Sequence, residues 1–332
     1  MPFVSLRPAL GARRSALDFR PAMALLLFFT AGPLSSGTLP VVHQQRYAMG
    51  TMFDIVVYDP SRAGAERAIR AAMDEIVRLD QVMSHFKTDS ALAQLIRNGR
   101  HQTVSVDPSL YDVLQKSIAV SRLSQGTFDV TIAPLLRTWT RAREAGRSPS
   151  GDELAAAQRC VGYEAIDLGI PGRVRLRSDC LEIDLGGIGK GYAVDRALAI
   201  LKGWGIRHAT VNAGSSSIGS IGTPPDGSGW PVRLGADGSH SRTLSLRDTS
   251  MSTSQQNGEI VDPRSGRPVD SPLAVSVIGR SATLADALST TLVLLSIDEG
   301  TRLLARFPGM SAVWTTPAGE TRGVHGEVPW CP

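Results

Sequence analysis

The sequence predicts an α+β protein in which strands and helices follow one another in mixed order. Segments with a two-residue apolar period are interspersed with segments whose apolar residues recur every three or four positions. A hairpin in the middle of the chain breaks the regular strand and helix alternation of a doubly wound sheet. The composition, 42% hydrophobic and 20% charged over 332 residues, is ordinary for a globular protein, and 33 glycines and 20 prolines indicate many turns.

The first 37 residues are predicted to be an export signal. Arginines that include the pair Arg13 and Arg14 precede the apolar block AMALLLFFTAGPL, and small residues follow it. The block is short for a bilayer span, which favours a cleaved signal over a permanent anchor, and the arginine pair suits a twin-arginine signal. We therefore predict a signal peptide at 1–37 and a single domain at 38–332 that is periplasmic and soluble after cleavage.

The charge of the mature chain gives no support for polyanionic partners. Residues 1–37 hold four arginines and one aspartate, a net +3, so about +1 of the formal +4 remains after cleavage. Without a basic run elsewhere, binding to nucleic acid or to an anionic membrane is not expected. Cys160 and Cys180 are close enough along the chain to pair in an oxidising compartment, but the spacing fits independent thiols equally well.

The first half of the mature chain predicts a strand followed by helices. MFDIVVY at 52–58 alternates apolar and polar residues, and residues 64–84 carry one apolar helical stripe. Asp107, followed by proline, predicts an N-cap and a helix that runs to about Leu123. The polar residues 140–160 predict a surface excursion that carries a short helix.

The second half predicts a sheet region that resumes with RVRLRS and CLEIDLG. A helix over 191–204 is closed by Gly205. Further strands are predicted at ATVNAG, after the loop PPDGSGWP, at LAVSVIG and at SAVWTT, and a helix at LADALSTTLVLL. We predict SAVWTT to be the last strand before a short tail.

The stretch IDLGGIGKGYAVD places four glycines and Lys190 at the start of the helix predicted over 191–204. Glycines let backbone N–H groups approach a phosphate at a helix N-terminus, and the lysine adds a cation. The spacing matches neither the P-loop nor the dinucleotide fingerprint. A phosphate loop and a simple tight turn therefore remain equal alternatives.

The segment LADALSTT places Asp286 and Thr290 four residues apart on one face of a helix. Their oxygens could share one hard cation, because Mg²⁺ takes few protein ligands when phosphate supplies the others. The alternative is a solvated helix face. By themselves, DPRSG at 262–266 fits a plain turn and SQGTFDVTIAPLLRTW a glycine turn that enters a strand.

Taken together and in order, these segments resemble the ApbE family, the FAD:protein FMN transferases. The resemblance runs from about Met49 to Val313 and DLGGIGKGYAVD is its most specific motif. It rests on MGTMFDIVV, GTFDVTIAPLLRTW, DLGGIGKGYAVD, NAG, STS, VDPRSGRPV and ADALSTT. The resemblance implies the ApbE-like, T-fold-related architecture of mixed sheets with packed helices and an active site in a cleft between interleaved parts.

The resemblance also implies an activity. Members are exported, Mg²⁺-dependent transferases that split FAD, join FMN through a phosphoester to a Thr or Ser hydroxyl of a target protein, and release AMP. The implied partner is a membrane-attached electron-transfer subunit that carries the acceptor residue. Two alternatives stay open: a flavin carrier or accessory protein that binds FAD with little transfer, and a hydrolase that gives free FMN and AMP.

By similarity, Asp286 and Thr290 would bind the metal together with the backbone carbonyl of Gly187. The positions that would contact the flavin nucleotide are Met49, Phe86, Thr127, Phe128, Asp129, Asp184, Lys190 and Val261.

Several residues depart from the family pattern. Glu259 stands where members usually have a His, the expected base for the incoming hydroxyl; a carboxylate can take that role if its pKa is raised. Phe86 replaces the usual Tyr, and Ser289 stands where some members have a second acidic ligand. The loops NAGSSS and STSQQ lack the usual glycines. The metal side of the site is therefore better retained than the nucleophile side.

Overall fold

The computed structural model describes residues 39–235, 241–256 and 260–331; the segment predicted as the export signal lies outside them. The described strands are β1 (Val41–Ala48), β2 (Thr51–Tyr58), β3 (Val104–Ser105), β4 (Ile166–Asp167), β5 (Arg173–Leu176), β6 (Ala209–Ala213), β7 (Ser217–Ile221), β8 (Trp230–Leu234), β9 (Arg242–Leu246), β10 (Ser250–Gln255), β11 (Val261–Asp262), β12 (Arg267–Pro268), β13 (Ala274–Gly279), β14 (Ser311–Thr315) and β15 (Thr321–His325). The described helices are α1 (Arg62–Met83), α2 (Ala91–Asn98), α3 (Pro108–Leu123), α4 (Ala133–Glu144), α5 (Gly151–Gln158), α6 (Gly189–Gly203), α7 (Ala282–Leu292) and α8 (Ile297–Leu304).

The centre of the fold is an eight-stranded sheet in the order β1-β2-β6-β7-β10-β13-β14-β15. Every neighbouring pair in it is antiparallel, so the predicted α+β class is confirmed. Strand β10 pairs with β13 along its whole length but with β7 only over residues 250–252. The remaining residues of β10, 253–255, therefore extend beyond the ladder with β7, at the place where the site forms.

Helices α1, α6 and α7 cover one face of this sheet. The period-2 pattern of β2 buries Phe53, Ile55 and Val57 towards them, as the sequence predicts for this strand. Helix α1 begins two residues before the predicted start, because Ser61 caps it by accepting a hydrogen bond from the Gly64 N–H at 3.0 Å. The predicted Asp107 cap of α3 is confirmed, since its carboxylate accepts from the Ser109 N–H.

The opposite face of the sheet is covered by the β8 and β9 ribbon. Trp230 and Leu244 of the ribbon pack with Met251, Ile278 and Val313, whose neighbours along each strand point to the helical face. A third, smaller apolar cluster joins α4 and α5 to β11 through Leu135, Leu154, Ala157 and Val261. This cluster forms one wall of the candidate site.

Three predicted elements were wrong. The segment CLEIDLG is not a strand, because the backbone of Asp184 donates to Val130 O at 2.7 Å and β5 pairs instead with β3 and β4. The turn at 126–132 leads into α4, with Pro134 in its first turn, and not into a strand. Strand β15 follows SAVWTT and pairs with it.

Cys160 and Cys180 form a disulfide with a Cα–Cα distance of 5.2 Å, which settles the open alternative in favour of pairing. The bond ties the end of α5 to the loop that precedes the glycine stretch. Of the helices in the described ranges, none has both the length and the apolar character needed to cross a bilayer.

Candidate active site

A cavity of about 470 Å³ lies where residues 253–255 of β10, the start of α6 and the turn of α7 from Asp286 to Thr290 meet the 126–132 turn. Its volume falls within the range of small-molecule sites. The residues that line it are Thr127, Phe128, Asp129, Val130, Ile132, Leu136, Asp184, Gly186, Gly187, Lys190, Ser216, Thr253, Ser254, Gln255, Ile260, Val261, Pro263, Asp286, Thr290 and Leu294. Nine of the predicted site residues thus converge on one space, although they span more than 160 positions of the sequence.

Asp286 is the most deeply buried acid at the base of this cavity, with 3% of its surface exposed. Its Oδ2 accepts the Gly191 N–H at 2.9 Å, and its Oδ1 accepts the Ser252 hydroxyl at 3.0 Å. These donors compensate for the loss of water around the carboxylate. Asp286 therefore does not lie on a solvated helix face, which was the alternative that its spacing left open.

Thr290 lies one helical turn after Asp286 and is partly exposed to the cavity. Its hydroxyl is 3.3 Å from the Ser254 hydroxyl, which is in turn 2.9 Å from the hydroxyl of Ser289. A Cβ at Gly187 would lie 3.4 Å from the Thr290 hydroxyl, so the glycine stretch lies directly against this turn of α7. Tertiary packing therefore brings the three predicted metal-binding residues together.

The glycine stretch is more than a plain turn, because several of its N–H groups bind other parts of the protein. The Gly186 N–H donates to Asp184 Oδ1 at 2.6 Å, that of Gly189 to Leu185 O at 2.7 Å, and that of Gly191 to Asp286. The positive end of the α6 dipole is therefore directed at a buried carboxylate. Lys190 reaches back to Gly186 O at 3.2 Å and lines the cavity as a cation.

The residues at the base of the cavity fit a hard cation. Asp286 offers a carboxylate, Thr290 a hydroxyl and Gly187 a backbone carbonyl, and Mg²⁺ prefers oxygen ligands of this kind. Each carboxylate oxygen of Asp286 accepts one protein hydrogen bond, which leaves lone pairs for a cation. With three protein oxygens, the site would leave the other ligands of the ion to phosphate or water. In the described part of the chain, no group of three or more His, Cys, Asp or Glu is placed to hold a metal ion.

Residues 127–131 of the 126–132 turn form the roof of the cavity. Asp129 accepts the N–H and the hydroxyl of Thr131 at 2.8 and 2.6 Å and the Tyr163 N–H at 2.9 Å. Burial raises the pKa of the Asp129 carboxyl, although these hydrogen bonds act in the opposite direction. The ring of Phe128 lies 3.3 Å from the position of a Cβ at Gly187. Asp129 thus fixes the turn while Phe128 closes it on the glycine stretch.

Two predicted contact residues lie outside the cavity lining. The Phe86 side chain is 85% exposed and stacks on His85 at a centroid distance of 3.8 Å, while His85 Nδ1 is 3.6 Å from Asp184 Oδ2. Met49 has a positive φ in the two-residue β1–β2 turn, and its Cε is 3.4 Å from the position of a Cβ at Gly189. Phe86 and Met49 therefore lie beside segments that line the cavity. Glu259 lies outside the described residues.

Two residues that hold the site, Ser252 and Asp195, were not among the predicted site residues. Ser252 binds Asp286 and also contacts the Ser217 hydroxyl and Ser216 O, each at 2.9 Å. Asp195 of α6 accepts hydrogen bonds from the first residues of α7. The sequence offers a weak sign of each. Ser252 belongs to the polar run STS within β10, and Asp195 lies four residues after Gly191, so that the two share one face of α6.

The antiparallel sheet with helices on one face, together with a buried carboxylate at the base of a cavity, defines an α+β protein with a candidate small-molecule site. The ApbE family model matches residues 49–314, which is most of the chain. The chain belongs to the ApbE family, as its motifs predict.

Relatives at low identity span most of this chain. A protein of Treponema pallidum named FAD:protein FMN transferase is 27% identical over 84% of this chain and 86% of its own length. A Vibrio cholerae protein of the same name is 27% identical over 78% of this chain and 83% of its own length. The crystal structure of the Pseudomonas stutzeri flavinyl transferase ApbE, apo form, is 25% identical, covers 89% of this chain and 96% of its own, and superposes with a TM-score of 0.77.

Proposed function

We propose that this protein is an FAD:protein FMN transferase that moves FMN from FAD to a Thr or Ser hydroxyl of a target protein and releases AMP. The names of its relatives support the transferase class. The observation that carries the proposal is the buried Asp286 carboxylate, which faces a cavity of suitable size beside Thr290, Gly187 and Lys190.

The proposed reaction is a phosphoryl-type transfer. The acceptor hydroxyl oxygen forms a bond to the FMN-side phosphorus of FAD, the bond from that phosphorus to the bridging oxygen breaks, and AMP leaves with that oxygen. The hydroxyl proton passes to a base. A Mg²⁺ ion held by Asp286, Thr290 and the Gly187 carbonyl would offset the negative charge on the diphosphate.

The residues of this chain would contribute position and charge. Lys190 places a cation on the wall of the cavity and favours the binding of a diphosphate there. Apolar wall residues such as Phe128 and Val261 favour a flavin and exclude water from it. Gly191 and Ser252 hold the Asp286 carboxylate in place before any ligand binds.

Glu259 remains our proposed base for the acceptor hydroxyl. The segments on either side of it are joined through Gln256, whose amide donates to Ile260 O at 2.6 Å and whose oxygen accepts the Ile260 N–H at 3.2 Å. Gln256 belongs to STSQQ, one of the departures from the family pattern, and it ties residue 256 to residue 260. The Glu259 carboxylate would take the proton where other members have an imidazole.

The proposal is tested by incubating the purified protein with FAD, Mg²⁺ and an exported acceptor domain, followed by intact mass measurement of each component. A mass gain of one FMN on the acceptor is the expected result. Free FMN with an unlabelled acceptor would instead identify a hydrolase, and bound, unchanged FAD a carrier. Omitting Mg²⁺ should abolish labelling.

The substitution Glu259→Gln tests the proposed base and leaves the proposed cation and flavin contacts unchanged. We expect this variant to bind FAD normally and to transfer FMN at least about 100-fold more slowly, in line with the contribution of a general base. The matched control is Gln255→Asn, which keeps an amide on the cavity wall and should transfer FMN at close to the wild-type rate. Undiminished transfer by Glu259→Gln would exclude Glu259 as the base.

We further propose that the protein acts outside the cytoplasm on a membrane-attached electron-transfer protein. The Cys160–Cys180 disulfide supports an oxidising compartment, and the arginine-rich, apolar segment at 1–37 supports export. Cell fractionation combined with thiol alkylation of the native protein tests this. Recovery in the cytoplasm with both cysteines alkylated would contradict it.

A further inference from the structure

Helices α6 and α7 are joined at two points that lie one helical turn apart on each helix. Gly191 and Asp195 are four residues apart on α6, and Ala282 and Asp286 are four residues apart on α7, so each pair shares a face. The N–H of Gly191 donates to Asp286 at 2.9 Å, and the N–H of Ala282 donates to Asp195 at 2.8 Å. Each helix thus supplies an aspartate to the N-terminal part of the other.

The carboxylate of Asp195 serves the beginning of α7. Oδ1 accepts the Ala282 N–H, and Oδ2 accepts the Ser281 hydroxyl at 2.8 Å and the N–H and hydroxyl of Thr283 at 3.0 and 2.6 Å. The N–H of Leu284 donates to the Ser281 hydroxyl, so the first three N–H groups of α7 all have partners. The negative charge also lies at the positive end of the α7 dipole.

The contact between the two helices has little freedom. A Cβ at Gly191 would lie 2.1 Å from Ala282 O and 2.7 Å from the Cβ of Asp286, so the helices touch at the backbone. With Gly191 as the point of contact, rotation or sliding of α7 is opposed by the four hydrogen bonds of Asp195. Any such movement would shift Asp286 and Thr290 relative to Gly187.

We propose that Asp195 is a positioning residue for the cation site: its cap fixes the axial position of α7 on α6 so that Asp286 and Thr290 face Gly187. This inference rests on the proposed function, since it concerns the cation that the transfer requires. Asp195 is absent from the cavity lining and acts through α7. Outer-shell partners of this kind contribute about 10- to 100-fold to metal affinity.

The test compares Mg²⁺ binding by the full-length protein and by Asp195→Asn, measured by isothermal titration in the presence of FAD. An Asn side chain retains one acceptor oxygen but turns an amide group towards the donors of α7. We expect the Mg²⁺ dissociation constant to rise about tenfold. The Mg²⁺ concentration needed for half-maximal transfer should rise by the same factor, because the loss is in cation binding.

Three further variants separate positioning from stability. Thr283→Val removes one hydroxyl donor to Asp195 without a change of shape, while Thr283→Ser retains it; we expect weakened Mg²⁺ binding in the first variant only. Ser61→Ala removes the cap of α1 and should lower the melting temperature without changing Mg²⁺ affinity. If Asp195→Asn does not fold, the two Thr283 variants decide the question.

Unchanged Mg²⁺ affinity in Asp195→Asn or Thr283→Val would overturn the inference and leave the proposed function standing. Equal losses of affinity in Ser61→Ala and Thr283→Val would also overturn it, since general destabilisation would then explain both. If the wild-type protein bound no Mg²⁺, the proposed cation site would fail, and this inference would fail with it.

Discussion

Gly191→Ala is the substitution to which the site should be most sensitive, although it adds a single methyl group. The new Cβ would lie 2.1 Å from Ala282 O, 2.7 Å from Ala282 C and 2.7 Å from the Cβ of Asp286. Ordinary contacts of a Cβ begin near 3.4 Å, so α6 and α7 must separate by about 1 Å. Two of the three opposing atoms belong to the backbone and cannot move aside by changing a rotamer.

The cost follows from two effects. Overpacking of a tight contact costs about 1–3 kcal/mol, and stretching the hydrogen bond from Gly191 to the buried Asp286 carboxylate costs about 1.5–3 kcal/mol. A loss of about 3 kcal/mol or more in the free energy of unfolding is therefore expected, which corresponds to roughly 6–12 °C in melting temperature. Because Asp286 moves by about 1 Å, transfer should fall about 100-fold even in the folded fraction.

The assay is urea unfolding together with FMN transfer to an acceptor domain, with Gly203→Ala as the control. Gly203 is in the same helix, but a Cβ there meets no atom within 4 Å. Gly203→Ala should therefore be neutral or stabilising by about 0.5 kcal/mol, with full activity. Wild-type stability and transfer in Gly191→Ala would show that the two helices do not meet tightly at Gly191.

Three more predictions concern individual groups. Thr290→Val should raise the Mg²⁺ concentration needed for half-maximal transfer at least about tenfold, with Thr290→Ser close to wild type; equal behaviour of the two would contradict a hydroxyl ligand. Burial raises the pKa of the Asp129 carboxyl above its ordinary value of 3.8. The free energy of unfolding of the wild type should therefore fall, relative to that of Asp129→Asn, as the pH rises above 3.8 and the buried carboxyl loses its proton. Parallel pH profiles of unfolding for the two proteins would contradict this. Replacing both Cys160 and Cys180 by Ser should lower the free energy of unfolding by about 3 kcal/mol, measured in urea, since the bond closes a loop of 20 residues; insensitivity of the wild type to reductant would argue otherwise.

Much of the fold was predictable because local signals agreed with the final environment. The alternation in β2 and the apolar stripe of α1 each predict an element and its buried face, and the cap at Asp107 predicts where α3 begins. The errors have a common cause. CLEIDLG has the composition of a strand, but its backbone bonds to the 127–131 turn, a long-range choice that local propensity does not encode.

The candidate site was predictable only in part. Asp286 and Thr290 share a helix face by spacing alone, but the same spacing also fits a solvated face. Which alternative holds depends on Gly191 and Ser252, which reach Asp286 from two other elements. The glycine stretch likewise matches no short fingerprint, and the partners of its N–H groups, Asp184, Leu185 and Asp286, come to light only in the structure.

The α+β class, most helices and strands, and membership of the ApbE family can be read from the sequence, because these depend on periodicity and on motifs that are contiguous in the chain. Three features need the folded chain: the burial of Asp286, the pairing of Cys160 with Cys180, and the Asp195 cap on the helix that carries Asp286. The physical reason is distance along the chain. Burial, pairing and helix register are set by contacts between segments about 20 to 95 residues apart, and no local pattern specifies them.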